Sequence, residues 1–144
     1  MEENTKFLRA ILRRDWGTYN DYVEDFARQG KGSPVAIVGC AFHVAIQKHF
    51  GSRQDIREVI KFVAEARMFF ADGEDVPARE AEGLICATLD FDEPWVDDVI
   101  DSLDATAISL IEGKLLFKLV LDENMSDEQL DALLADAERL LREE

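Results

Sequence analysis

Cysteine and histidine are scarce in this sequence, which has two residues of each. A structural zinc site needs three or four such ligands, and a disulfide-stabilised secreted scaffold needs several cysteine pairs. Cys40 and His43 lie one helical turn apart, but His49 falls on another face of the same predicted helix and Cys86 on another predicted element. We therefore expect no metal site, no cofactor, and a reduced, cytoplasmic protein.

Targeting and membrane-spanning segments are also missing. The N-terminus, MEENTKFLRAILRRDW, has neither the apolar region nor the small-residue cleavage site of a signal peptide, so we expect no export. The most apolar stretch, which runs from Val35 to Ile46, is interrupted by His43. It is well short of the roughly 20 apolar residues that span a bilayer, so we expect no membrane association.

Nucleotide-binding motifs are absent where they would be expected, in the stretch KGSPVAIVGC. A dinucleotide fingerprint starting at Gly39 would need two further glycines, but Ala41 and Val44 occupy those positions. The glycines of residues 30–33 have the wrong spacing for a phosphate-binding loop, and they precede the apolar run instead of following it. The sequence therefore does not predict a nucleotide-binding fold.

A helix accounts for this stretch better than a strand does. Ser33 is a suitable N-cap, Pro34 suits the first turn, and Gly51 is a natural C-terminal stop. The intervening segment is too long for a typical strand, and its first three turns carry little polar surface. The pattern predicts a central apolar helix over about residues 33–50.

Helical spacing of apolar residues recurs along most of the chain. It predicts further helices in 5–14, 19–26, 56–68, 78–89, 95–103 and 105–121, and from Leu130 to Leu141. Ser52, with Asp55 three residues further on, resembles a capping box at the start of the helix 56–68. Residues 105–121 could instead turn as a hairpin at Glu112 and Gly113, but the leucine-rich run lacks β-branched alternation, which favours a helix. We expect one all-α domain over 1–144, a bundle of five to seven helices in which residues 1–16 form a more loosely attached helix.

The last predicted helix carries strong start signals and a leucine stripe. Ser126 and Gln129 form a capping box, and Met125 can pack against Leu130. The stripe covers fewer than the three or four heptads that indicate a coiled coil, so packing onto the parent domain is favoured and a dimer interface stays open. The candidate partner-binding leucines are Leu130, Leu133, Leu134 and Leu141.

Positive charge is scarce in the second half of the chain. The net charge is −15; residues 1–70 carry 11 Lys or Arg and 9 Asp or Glu, whereas residues 71–144 carry 5 and 22. Such an acidic half repels nucleic acid and anionic membranes and suits a basic protein surface. The candidate partner-binding carboxylates lie on one predicted helix and at its end: Asp97, Asp98, Asp101 and Asp104.

The acidic segment DFDEPWVDDVID does not fit a calcium loop. Asp90, Asp92 and Asp101 match positions 1, 3 and 12 of such a loop, but Trp95 occupies position 6, where the turn requires glycine. Pro94 in a first helical turn, preceded by acidic residues, explains the segment better.

Three segments carry a resemblance to a known group of proteins: SPVAIVGCAFHVAIQKHF, DIREVIKFVAEAR and VPAREAEGLICATL. They resemble segments of uncharacterised small helical proteins of high-GC Gram-positive bacteria. The resemblance covers the middle of the chain, implies a bacterial cytoplasmic setting, and carries no known activity.

Catalytic motifs such as a serine elbow or a metalloprotease HExxH are absent from the sequence, so we expect no catalytic residues. The favoured hypothesis is a non-catalytic acidic module for protein interaction or regulation, which docks a basic surface or self-associates as a homodimer. The alternative is an enzyme or a small-ligand-binding protein with a pocket between helices near Cys40, His43, Trp95 and Cys86.

Overall fold

The computed structural model describes residues 36–51, 55–70, 76–91 and 93–143, together with positions 17, 18, 21, 24 and 28. Within the described residues there are six complete helices and no strand. They are α1 (Ala36–Phe50), α2 (Ile56–Phe69), α3 (Ala78–Thr88), α4 (Pro94–Asp101), α5 (Ala105–Asp122) and α6 (Asp127–Glu143). The predicted all-α bundle is confirmed, whereas the expected helix 5–14 and the predicted caps Ser33 and Pro34 lie outside the described residues.

Helix α1 is the central helix, as its apolar composition predicts. Eight of its residues are buried, and they lie on nearly all of its faces: Ile37, Val38, Cys40, Ala41, Phe42, Ala45, Ile46 and Phe50. It packs against α3, α5 and α6. The predicted stop is also confirmed, because Gly51 has a φ of +62° and its backbone N–H donates to the Gln47 carbonyl oxygen at 2.9 Å.

Helix α5 is the second buried helix, and it settles the choice between helix and hairpin for residues 105–121. Asp104 is its N-cap, since the carboxylate accepts a hydrogen bond from the backbone N–H of Ala107 at 2.7 Å. Glu112 and Gly113 continue the helix without a turn. The hydrophobic side chains Ile111, Leu115, Leu116, Phe117 and Leu119 are buried, so α5 contributes much of the core.

The charge of a buried lysine in this core is compensated by a carboxylate on the same helix. Lys118 is 7% exposed, and its ammonium donates to both carboxylate oxygens of Asp122, one turn further on, at 2.6 and 2.5 Å. The same ammonium lies 6.0 Å from the ring centroids of Phe62 and Phe69. The buried charge is therefore compensated by an ion pair and by two aromatic faces.

Helix α2 begins differently from the expected pattern. We expected Ser52 to cap this helix, with Asp55 as the acid of a capping box, but Asp55 is itself the N-cap. Its carboxylate accepts hydrogen bonds from the side chain and the backbone N–H of Arg57, and these bonds lower the pKa of Asp55. The expected cap was wrong because Asp55 itself accepts a hydrogen bond from the backbone N–H of Arg57, while the helix begins at Ile56 as predicted.

Helix α6 begins as predicted. The backbone N–H of Ser126 donates to Gln129 Oε1 at 2.8 Å, and the backbone N–H of Gln129 donates to Ser126 Oγ at 3.2 Å. The helix packs along α1 and buries Leu133 and Ala137. Much of the leucine stripe is therefore used for packing within the chain.

No helix in the described part of the chain combines the length and the apolar character that crossing a bilayer requires.

Helices α3 and α4 approach each other closely at a glycine. A Cβ atom placed on Gly83 would lie 2.7 Å from Val99 Cγ1 and 3.1 Å from Val99 Cβ. Real Cβ atoms do not tolerate the first distance, so any larger residue would push α4 away from α3. Gly39 of α1 differs, because its added Cβ would meet only Glu112 Oε1, at an ordinary 3.5 Å.

We predict opposite effects for alanine at these two helical glycines. Gly83→Ala should lower the free energy of unfolding by about 1–2 kcal/mol, because overpacking against Val99 outweighs the gain in helix propensity. Gly39→Ala should raise it by about 0.5–1 kcal/mol, because the same propensity gain meets no clash. Urea denaturation measures both. A Gly83→Ala variant as stable as the wild-type protein would contradict the close α3–α4 contact.

Candidate functional site

Helices α1, α5 and α6 surround a cavity of about 340 Å³ that is open on one side. Its lining residues are Ala36, Gly39, Cys40, His43, Ile108, Glu112 and Leu140. Those from α1 recur at helical spacing and therefore share one face, as do the two from α5, which lie four residues apart. Most of the wall is apolar, and three ionisable side chains face into it: a thiol, an imidazole and a carboxyl.

The carboxyl of Glu112 fits against α1 at the one lining position without a side chain. The 3.5 Å distance from Glu112 Oε1 to a Cβ built on Gly39 shows that this oxygen lies directly over the backbone of α1. Glycine at position 39 thus provides the space that the carboxyl occupies. Any longer side chain there would compete with Glu112 for the cavity.

Glu112 is the most unusual ionisable group in the described structure. Among the described residues, none forms a hydrogen bond with its carboxyl and no cation compensates it. The residue keeps some solvent contact through the cavity, but protein surrounds the carboxyl, and this burial raises its pKa from 4.5 to about 8. At neutral pH the group is therefore mostly an uncharged acid, which can donate one hydrogen bond through its O–H.

The sequence predicted part of this cavity. Cys40 and His43 share a helix face as expected, and both line the cavity. Trp95 and Cys86 do not line it, so that part of the predicted pocket is wrong. Cys86 is fully buried elsewhere in the core, and its pKa is raised to about 11 by burial and then by Glu82, which keeps the thiol protonated. Trp95 lies on α4, beneath the Arg79 guanidinium at 5.5 Å.

Sequence reasoning missed Glu112 as a site residue. We considered it only as a possible turn residue beside Gly113, yet it is the only acidic residue in the run ATAISLIEGKLLFKLVL. A single carboxylate within a leucine-rich helix was the available signal. Its importance depends on Gly39 and Leu140, which two other helices bring to it.

A second cleft, of about 310 Å³, lies between the C-terminal parts of α1 and α5 and one face of α2. Of the carboxylates that line this cleft, Asp122 pairs with Lys118, and Glu123 beside it lies 3.3 Å from His49 Nδ1. Lys61 adds a further cation to its wall. Its charges are therefore partly compensated, unlike the carboxyl of Glu112.

The predicted partner-binding aspartates fall into two groups. Asp97, Asp98 and Asp101 are exposed on α4, whose opposite face buries Val96 and Val99. Asp104 is exposed as well, but its carboxylate caps α5.

The predicted partner-binding leucines lie on α6. Leu133 is only 3% exposed, and Leu130, Leu134 and Leu141 are half-buried. Leu134 and Leu141 pack against the core of this chain. Packing within the chain therefore occupies much of this surface, and partner binding by either set of residues stays a prediction.

Metal binding is not supported by the described residues, among which no group of three His, Cys, Asp or Glu side chains could hold an ion.

In comparisons with known proteins, no family model, no curated protein and no solved structure matches this chain. The resemblance to small helical proteins of high-GC Gram-positive bacteria stays a prediction.

We predict that Glu112 makes folding stability depend on pH. Because its pKa rises from 4.5 to about 8 on folding, its contribution to stability is complete below pH 4.5 and is lost as the pH rises towards 8. In the variant Glu112→Gln, the side chain at this position is an amide and cannot ionise. The variant should therefore gain stability over the wild-type protein across this window, by at most about 1.4 kcal/mol per pH unit.

Urea denaturation at a series of pH values measures this difference. The control is Glu65→Gln, which removes an exposed carboxylate from α2 and should leave the wild-type profile unchanged. Parallel profiles for Glu112→Gln and the wild-type protein would show that Glu112 ionises normally.

Proposed function

We propose that this chain binds a small organic ligand in the cavity between α1, α5 and α6. The observation that supports this most strongly is the carboxyl of Glu112, which lines the cavity and has no hydrogen-bond partner among the described residues. Buried polar groups in folded proteins nearly always have hydrogen-bond partners, and an exception in a cavity is a candidate for contact with a ligand. The volume of about 340 Å³ also falls in the range of small-molecule sites.

The proposal is for binding and not for catalysis. A catalytic nucleophile needs a base close by, and that base is usually oriented by a third group. No described side chain hydrogen-bonds to the His43 ring to orient it in this way. A neutral acid, an imidazole and an apolar wall are sufficient to hold and orient a ligand.

Two-dimensional ¹⁵N NMR with a library of small organic fragments tests this function. Fragments that bind should shift the amide signals of Gly39, His43 and Glu112 together. Gly39→Leu should abolish these shifts, because its side chain fills the cavity. Ala64→Leu, which adds the same side chain at an exposed position of α2, should preserve them.

The amide spectrum of Gly39→Leu also reports whether that variant keeps the fold. Fragments that shift no signal in the cavity, or that bind the folded Gly39→Leu variant as well as the wild-type protein, would contradict the proposal.

A second candidate function is docking of a basic protein surface by α4. It is favoured by one observation: Asp97, Asp98 and Asp101 are exposed together, and none forms an ion pair with a described residue. The net charge of −15 would steer a basic partner towards them. We also propose that the chain can self-associate as a homodimer and that it works in a bacterial cytoplasm. Cys40 and Cys86 are buried thiols that are not joined in a disulfide, which supports the reduced environment.

Affinity capture with the wild-type chain and with a variant carrying Asp97→Asn, Asp98→Asn and Asp101→Asn tests this docking. We expect the wild-type chain to retain a basic partner at low ionic strength, and both the variant and high salt to release it. A partner that is acidic, or whose binding is insensitive to salt, would contradict the electrostatic hypothesis.

A further inference from the structure

The ionisable groups of the cavity indicate which charge its ligand carries. We propose that the ligand is a small organic cation, a protonated amine with an apolar body, and that its binding ionises Glu112 and releases one proton. This inference rests on the proposed ligand-binding function and adds the chemical class of the ligand.

Among the described residues, the groups that face Glu112 from α1 are Cys40 and His43, while α6 contributes only the aliphatic Leu140 and α5 only Ile108 besides Glu112 itself. No lysine or arginine is among the described lining residues. Burial is the cause of the raised pKa of Glu112, and no charge on a described residue, positive or negative, acts strongly on this carboxyl.

The charge of a ligand decides how it would interact with Glu112. An anionic ligand would find no compensating cation among the described lining residues, and it would oppose the ionised form of Glu112. A neutral ligand could accept a hydrogen bond from the protonated carboxyl, but it would leave the carboxyl unable to ionise. A cationic amine alone supplies the partner that a desolvated carboxylate lacks, through a charge-assisted N–H···O bond.

The apolar wall of the cavity favours a ligand with a hydrocarbon body. Ala36, Ile108 and Leu140 form an aliphatic wall beside the carboxyl. A short hydrocarbon body on the amine would remove this wall from water, which favours binding. The strongly acidic chain, with a net charge of −15, would in addition attract cations and repel anions before contact.

Proton balance follows from the ionisation state of Glu112. The amine enters already protonated, and Glu112 is mostly protonated at neutral pH. As the ammonium binds, the O–H bond of the carboxyl breaks and its proton passes to the buffer, leaving an ammonium–carboxylate pair. Release of one proton makes the affinity rise roughly tenfold per pH unit below the pKa of Glu112 and level off above it.

Isothermal titration calorimetry with three probes of matched length tests the inference: hexylamine, hexanol and hexanoate. The titrations use the full chain at about pH 6.5 and about pH 7.5, in phosphate and in Hepes, two buffers with different ionisation enthalpies. We expect hexylamine to bind most tightly, to release close to one proton, and to gain roughly tenfold in affinity between the two pH values.

Two variants locate the effect. Glu112→Gln should weaken hexylamine binding at least roughly tenfold at the higher pH and remove proton release, because the amide cannot form a charged partner. Glu65→Gln removes one exposed carboxylate and should retain both. Since Glu112→Gln removes a buried ionisable group, it is expected to fold, and its amide spectrum verifies this.

The outcomes separate this inference from the function on which it rests. If hexanol or hexanoate shifts the cavity amides and binds at least as tightly as hexylamine, the cavity binds ligands but the assignment of a cation is wrong. If hexylamine binds without proton release, or binds Glu112→Gln unchanged, the role of Glu112 is wrong. If no probe or fragment of any charge shifts the cavity amides, the proposed function itself is overturned.

Discussion

Burial of the Glu112 carboxyl against the backbone of α1 is the constraint on which the candidate site depends. Removing an ionised carboxylate from water without a partner is so costly that the group keeps its proton instead. The fold tolerates this because α5 buries several large hydrophobic side chains around Glu112, each of which contributes about 1.5–3 kcal/mol. Gly39 completes the arrangement, since a small residue at this position leaves the carboxyl room beside α1.

The buried lysine and the buried glutamate of α5 have different surroundings. Lys118 lies one turn from Asp122, which accepts its hydrogen bonds, and the faces of Phe62 and Phe69 lie nearby. Glu112 has no such arrangement among the described residues. A structural charge is expected to be compensated within the fold, as Lys118 is. An uncompensated group that faces a cavity therefore suggests a role outside packing.

Local sequence signals were sufficient for most of the helical architecture. The apolar run of α1 with its stop at Gly51, the capping box at Ser126 and the leucine-rich run of α5 all predicted helices where the structure has them. These features depend on residues a few positions apart, which a sequence displays directly. The start of α2 was harder, because whether Ser52 or Asp55 caps the helix depends on where the Arg57 side chain lies.

The candidate site could be predicted only in part, because it is assembled from three helices. Cys40 and His43 were found through their spacing on α1, but the sequence does not show that Glu112 lies over Gly39 or that Leu140 closes the wall. Cys86 and Trp95 were predicted in the same pocket as Cys40 and His43 because side chains of these types can bind ligands or take part in catalysis. Their actual surroundings are tertiary features: Cys86 is buried in the core, and Trp95 lies beneath the Arg79 guanidinium.

The carboxyl of Glu112 can be observed directly by ¹³C NMR of its side-chain carbon during a pH titration of the wild-type chain. If protein atoms enclose the group without a compensating charge, its chemical shift should change with a midpoint near pH 8. A midpoint near the ordinary value of 4.5 would show that water or a cation reaches the carboxyl, and the account of the cavity would then be wrong.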